Sequence, residues 1–169
     1  MQADPLLLTL KIDQKTQEYF DALRKQYFPA DRNWLDAHVM LFHQLPAGEQ
    51  KILSDIAEMA DTTTVFEMDV AGPKHIGRGV AYKVESPQLL MMHKRMQTLW
   101  QQWLIPQDKH SLWPHITIQN KVDPVVAQAT LVKVSERFEP FKAVAQGLML
   151  WEYKGGPWNF VDEWLFKAN

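Results

Sequence analysis

Two short runs restrict what this chain can fold into more than any others: Ala37-His38-Val39-Met40-Leu41-Phe42-His43 and Trp113-Pro114-His115-Ile116-Thr117-Ile118-Gln119-Asn120. Each is rich in β-branched and aromatic residues and has the length of a short β-strand, and Pro114 marks the entry to the second. Side chains on a strand point alternately to its two faces. His115, Thr117 and Gln119 are therefore expected on one face, with Ile116 and Ile118 on the other. In the first run His38 and Met40 share a face, and His43 falls on the opposite one, where it reads as packing or hydrogen-bonded structure. Two imidazoles held on rigid strands, one with a hydroxyl beside it, suit phosphate chemistry.

The rest of the chain supplies the frame for these strands. Leu6 to Ile12 is an apolar run that reads as a buried strand, and Asp13 can cap a helix over about 14–28 that Pro29 ends. A polar loop at 29–37 carries Arg32 and Trp34. After the first His strand a helix is expected at about 49–60. Two strands follow at about 64–70 and 80–84, joined by the Gly-rich turn Gly72-Pro-Lys-His-Ile-Gly-Arg-Gly79. Ser86-Pro87 opens a helix running to about 104, and Asp123-Pro124 repeats the opening for a helix to about 138. Two long strands, 142–153 and 158–167, join through Lys154-Gly155-Gly156-Pro157, a hairpin signal. The order His strand, helix, two strands thus occurs over about 38–84 and again over about 115–167. Such a repeat would set the two His strands across a pseudo-two-fold axis. An α+β fold follows: one domain over 1–169, two-lobed and pseudo-symmetric, with two antiparallel-rich sheets around a central cleft and helices outside.

Composition excludes several functions. The 169 residues carry a formal net charge of −2, which argues against binding nucleic acid through a broad basic surface. The absence of cysteine rules out disulfides, thiol catalysis and thiolate metal sites. His75, His93 and His110 lie in a turn, a helix and a loop with nothing at metal-ligand spacing, so no metal and no cofactor are expected. The first residues lack the basic and apolar regions of a signal peptide, and no run approaches membrane-spanning length, so a cytoplasmic monomer without membrane contact is the expectation. Seven Trp is a high count that permits an aromatic-lined cleft.

Five segments together resemble the two-histidine (2H) phosphoesterase superfamily, and within it the bacterial 2′-5′ RNA ligase-like proteins. They are Leu8-Thr-Leu-Lys-Ile-Asp13, His38-Val-Met-Leu-Phe-His-Gln-Leu-Pro46, Gly77-Arg-Gly-Val-Ala-Tyr82, Pro114-His-Ile-Thr-Ile-Gln-Asn-Lys-Val122 and Leu150-Trp-Glu-Tyr-Lys-Gly-Gly-Pro-Trp158. The resemblance covers nearly the whole chain in order. It implies catalytic roles for His38, His115 and Thr117, and a nucleotide or RNA-end substrate. Met40 departs from the pattern, standing where the family has Thr or Ser.

That chemistry suits these side chains. Opening a 2′,3′-cyclic phosphate or a related 2′-5′ phosphodiester with water needs a base for the nucleophile and an acid for the leaving oxygen, and two imidazoles supply both near neutral pH without a metal. A Thr hydroxyl donates to a non-bridging oxygen; the Met40 thioether has no donor. Around the phosphate, Gln119 shares the His115 face, Arg78, Lys121 and Lys154 can reach an anion, and Tyr153 and Trp158 can stack a base. For Arg78 and the lysines the competing reading is a solvated charge, and for the aromatics it is core packing. The alternative at the level of function is a degenerate domain that binds a nucleotide or RNA end with little turnover, as Met40 suggests.

Overall fold

The computed structural model describes residues 3–169. The described residues form seven strands and four helices: β1 (Leu6–Ile12), α1 (Gln14–Tyr27), β2 (Val39–Leu45), α2 (Gln50–Asp61), β3 (Phe66–His75), β4 (Val80–Glu85), α3 (Pro87–Trp100), β5 (His115–Gln119), α4 (Pro124–Ser135), β6 (Phe141–Tyr153) and β7 (Trp158–Leu165). Short 3-10 turns at Ala30–Arg32, Gln101–Trp103 and Pro106–Lys109 fill the longer connections. Among the described residues no helix is long and apolar enough to cross a membrane.

Local chemistry sets the boundaries. The Asp13 carboxylate accepts from the Thr16 amide at 3.1 Å and from its hydroxyl at 2.8 Å, capping α1, and reaches the Val144 amide on β6 at 2.7 Å. Ser86 Oγ caps α3 by accepting from Leu89 N at 3.1 Å, with Pro87 at the first helical position. Asp123 opens α4 without a side-chain cap; its carbonyl takes the Ala127 amide instead.

The strands form one antiparallel sheet in the order β2-β1-β6-β3-β4-β5, with β7 also on β6. The two sheets expected from the sequence are two wings of this one surface, because the 13-residue β6 belongs to both. Its first residues pair with β3 and the remainder with β1 and β7. Sheet order also exposes a wider repeat than the run of elements at 38–84 and 115–167. β-α-β-α-β occurs over β1 to β3 and again over β4 to β6, and the strand order reads the same from either end under that correspondence. The His strands β2 and β5 are the two edges, and the sheet curls until they touch.

The core lies between sheet and helices. Leu8, Leu10, Phe42, Ile52, Ile56, Leu148 and Leu150 join Phe20, Tyr82, Ile116 and Ile118 in one contiguous cluster. Phe20 meets Tyr82 edge-on at 5.1 Å, and Phe42 stacks on His93 at 4.6 Å. Burying each such ring contributes about 1.5–3 kcal/mol.

Candidate active site

His38 stands immediately before β2 and His115 begins β5, and the two are held alike. The Nδ1–H of His38 donates to the Asp36 carbonyl at 2.8 Å, and that of His115 to the Trp113 carbonyl at 2.6 Å. A carbonyl only accepts, so Nδ1 carries the proton in both rings and Nε2 is left free. Each ring also rests on a tryptophan: Trp113 stacks on His115 at 4.4 Å and Trp158 lies against His38 at 4.7 Å. Both residues are half-buried.

The rings share one electrostatic environment. Desolvation pushes the His38 imidazole down to about 4, against the pull of its Asp36 hydrogen bond, and positive charge on Arg24, His115 and His43 adds to the depression. His115 is also held below its ordinary value by burial, with His43 adding to the effect and the Trp113 carbonyl opposing it. Both rings therefore give up their protons below pH 6.5 in the free site. A reaction needing one neutral and one protonated ring should show kcat/KM peaking on the acid side of pH 6.5, with an acid limb near 4. Measured apparent values would belong to the coupled pair. Stability has the same sign: the folded state resists protonation of both rings, so their contribution is intact above pH 6.5 and is lost as pH falls towards 4. Thermal melts at about pH 7 and about pH 4.5 check this; a higher midpoint in the acid sample would contradict it.

Strand parity breaks on both His strands, and in each case this alters the site. On β1 and β2, Thr9 pairs with Met40 and Leu8 with Phe42, so Leu41 is an extra residue in β2. Phe42 thereby turns to the core at 0% exposure, and His43 comes to the Met40 face, not the opposite one expected from strict alternation. His43 lines a cavity of about 110 Å³ together with Met40, His93, Trp113 and His115. On β4 and β5, Ala81 pairs with Thr117 and Val80 with Gln119, so Ile118 is the extra residue. Gln119 therefore turns inward at 2% exposure, and its Nε2 donates to Thr130 Oγ1 on α4 at 2.9 Å. It is a packing residue and does not face the cleft as expected. The offset carrying His38 to His115 also carries Met40 to Thr117 and Leu41 to Ile118, so the two bulges are equivalents.

Beside His38 runs a groove of about 630 Å³, walled by Thr9, Gln17, Trp34, Met149, Trp151 and Trp158 among others. Trp151 Nε1 donates to Thr9 Oγ1 at 2.9 Å, which fixes its ring. Trp34 packs on the β6–β7 hairpin at Gly156, where a Cβ would come within 2.5 Å of the indole, so only glycine leaves room. Trp158 lines this groove. Tyr153 is exposed beyond it, with its amide tied to Pro5. Arg78 lies in the turn before β4, with its Nε donating to the Val122 carbonyl at 3.2 Å. Its own carbonyl takes the Val122 amide, and Val80, two residues on, pairs with Gln119, so Arg78 stands by the end of β5 opposite to His115. Among the described residues no three His, Asp or Glu side chains converge as a metal site would require.

A family model described as the 2′-5′ RNA ligase superfamily matches residues 12–157, a span containing both His strands and the hairpin glycines. The chain belongs to the 2′-5′ RNA ligase superfamily. Solved structures agree on the fold. TT0787 of Thermus thermophilus is 15% identical with a TM-score of 0.70, covering 98% of this chain and 99% of that one. Escherichia coli LigT complexed with NADP+ is 15% identical (TM-score 0.62), covering 99% of each chain. LigT complexed with 3′-AMP is 17% identical (TM-score 0.56), covering 98% of this chain and 99% of that one. No curated protein sequence matches the chain.

Within this 2′-5′ RNA ligase superfamily fold, three residues that sequence reasoning does not single out also shape the site. Arg24 of α1 is buried and donates from Nε to Asn33 Oδ1 at 3.2 Å and the Leu35 carbonyl at 3.1 Å, and from Nη1 to the Thr117 carbonyl at 2.9 Å. It ties the loop leading to His38 to the other His strand. Asp108, from the 3-10 turn before β5, receives His43 Nδ1–H at 2.8 Å. Gln17 holds the Ala37 carbonyl at 2.7 Å, next to His38. An arginine at helical spacing among apolar positions is the one available signal; the other two depend on contacts distant in sequence.

Proposed function

We propose that the protein is a phosphodiesterase that opens nucleoside 2′,3′-cyclic phosphates, free or at an RNA end, or related 2′-5′ linkages. The observation supporting this best is the matched tethering of His38 and His115 through Nδ1, which leaves two Nε2 atoms on adjoining strands to act on one phosphate. The neutral ring takes a proton from water as its oxygen bonds to phosphorus. The protonated ring gives its Nε2 proton to the ribose oxygen as that P–O bond breaks, and the product is a ribose phosphomonoester. Both proton transfers come from imidazoles, so the step requires no metal. Thr117, on the His115 face, donates to a non-bridging oxygen as charge builds there. The groove beside His38 takes the nucleoside, with Trp158 and Trp34 offering faces for a base. That LigT, of the same fold, has been crystallised with 3′-AMP and with NADP+ supports a nucleotide ligand.

Met40 favours a second reading, a domain that binds such ends without efficient turnover. Assay of the purified protein on the four nucleoside 2′,3′-cyclic phosphates in excess chelator separates the two. Turnover supports the enzyme; saturable binding with no product supports the binding domain. Thr117→Val is expected to lower kcat by about 10²–10³ with KM little changed, since its hydroxyl works mainly in the transition state. An unchanged kcat would remove Thr117 from the mechanism.

A further inference from the structure

We propose that His43, held by Asp108, supplies the phosphate-oxygen donor that the chain lacks at Met40. This rests on the phosphodiesterase reading of the same cleft. The bulge at Leu41 places His43 on the Met40 face, and Met40, His43 and His115 wall one cavity. The ring is built in. The Asp108 side chain is 1% exposed, and its carboxylate accepts from the His43 amide, the Gln44 amide and His43 Nδ1, all at 2.8–2.9 Å. Gln97 of α3 fixes the same turn by donating to the Asp108 and His110 carbonyls at 2.9 and 2.8 Å. With Nδ1–H committed to the carboxylate, Nε2 on the far side of the ring is the atom available to a ligand, and among the described residues it has no hydrogen-bond partner. The titratable groups around it are Asp108 and His110 from the connection before β5, His93 from α3, His115 from β5 and His38 before β2.

The two His strands then divide the work unequally. At β5 a hydroxyl stands at Thr117, and the position equivalent to His43 is Asn120, whose Oδ1 is taken by the Lys121 amide. At β2 the hydroxyl is missing and an imidazole stands three residues on. In this role both ring nitrogens donate, Nδ1–H to the Asp108 carboxylate and Nε2–H to a non-bridging oxygen, and no proton need leave the ring during the reaction. A purely structural His43 would staple β2 to the turn without touching the ligand.

A rescue experiment separates these roles. His43→Gln is expected to lower kcat about 10–100-fold, the worth of one charged hydrogen bond. Met40→Thr should raise kcat by a smaller factor in the native background, where the donor is already present, than in His43→Gln, where about tenfold or more is expected. Equal factors in both backgrounds, or an unaffected kcat in His43→Gln, would overturn the proposal. If His43→Gln is silent while His115→Ala is inactive, this proposal fails alone; if His115→Ala retains turnover, the parent reading fails too. A binding measurement covers a protein without turnover: inorganic phosphate, followed by nitrogen NMR of labelled histidine, should shift His43 Nε2, and His43→Gln should weaken its binding about tenfold. An unmoved His43 resonance or unchanged affinity would overturn the proposal.

Discussion

Replacing His115 with alanine is expected to reduce turnover of a 2′,3′-cyclic nucleotide by about 10²–10⁴, the usual worth of a positioned acid or base. The loss should lie in kcat, since removing one imidazole leaves the nucleoside groove beside His38 untouched. His38→Ala should cause a loss of the same order, and the double variant little more than either alone, because the two rings act as one unit. Folding should survive. His115 is half-buried at a sheet edge, and its neighbours Ile116 and Ile118 keep their places in the core. Steady-state rates in chelator, with circular dichroism to check the fold, decide the matter. Additive losses, or a variant with native kcat, would mean that the two rings do not share one phosphate.

Arg24→Met is expected to destabilise the fold by about 2–4 kcal/mol. It removes donors from the Thr117 and Leu35 carbonyls and from Asn33 Oδ1, and buried acceptors left without a partner cost more than the bond itself was worth. Burial lowers the guanidinium pKa, with Asp21 and Asp36 opposing, so desolvation of the charge offsets part of what the hydrogen bonds contribute. The variant should also lose activity through the loop that carries Trp34 and Asp36, whose carbonyl orients His38. A second readout separates charge from packing. Arg24 is one of the groups depressing His38, so its removal should move the acid limb of the rate profile upward, whereas Arg24→Lys should leave that limb in place. Chemical denaturation and the pH profile of kcat/KM check both statements, and a shift in the opposite direction would contradict the electrostatic part.

Much of this fold can be read from hydrophobic pattern alone. The apolar run at 6–12, the Ser86-Pro87 opening of α3 and the Gly155-Gly156 hairpin each carry a local signal strong enough to place an element. The histidines His38 and His115 are legible because the first residues of a strand keep their parity: His38 with Met40, and His115 with Thr117. Parity then fails one residue later on both strands. A bulge adds a single residue, and alternation has no means of registering it, so it puts His43 on the wrong face and Gln119 in the cleft. Arg78 is misplaced for a related reason. Its turn is recognisable, but which end of β5 that turn adjoins depends on pairing register. Asp108 lies in a connection whose local sequence carries no strong pattern, and its role depends on amides 64 and 65 residues away. The repeat, too, reads one strand late, because chain order cannot show that β1 and β4 occupy equivalent places beside the His strands.

Nitrogen NMR of the histidine-labelled protein, titrated in turn with 2′-AMP and 3′-AMP, the two phosphomonoesters that opening of the cyclic phosphate can give, tests the central claim most directly. Both His38 and His115 are expected to begin as Nδ1–H tautomers, as their carbonyl bonds require. On titration both Nε2 resonances should move together, saturating at one nucleotide per chain. Movement of only one ring, or of neither while the nucleotide still binds, would contradict a shared phosphate site.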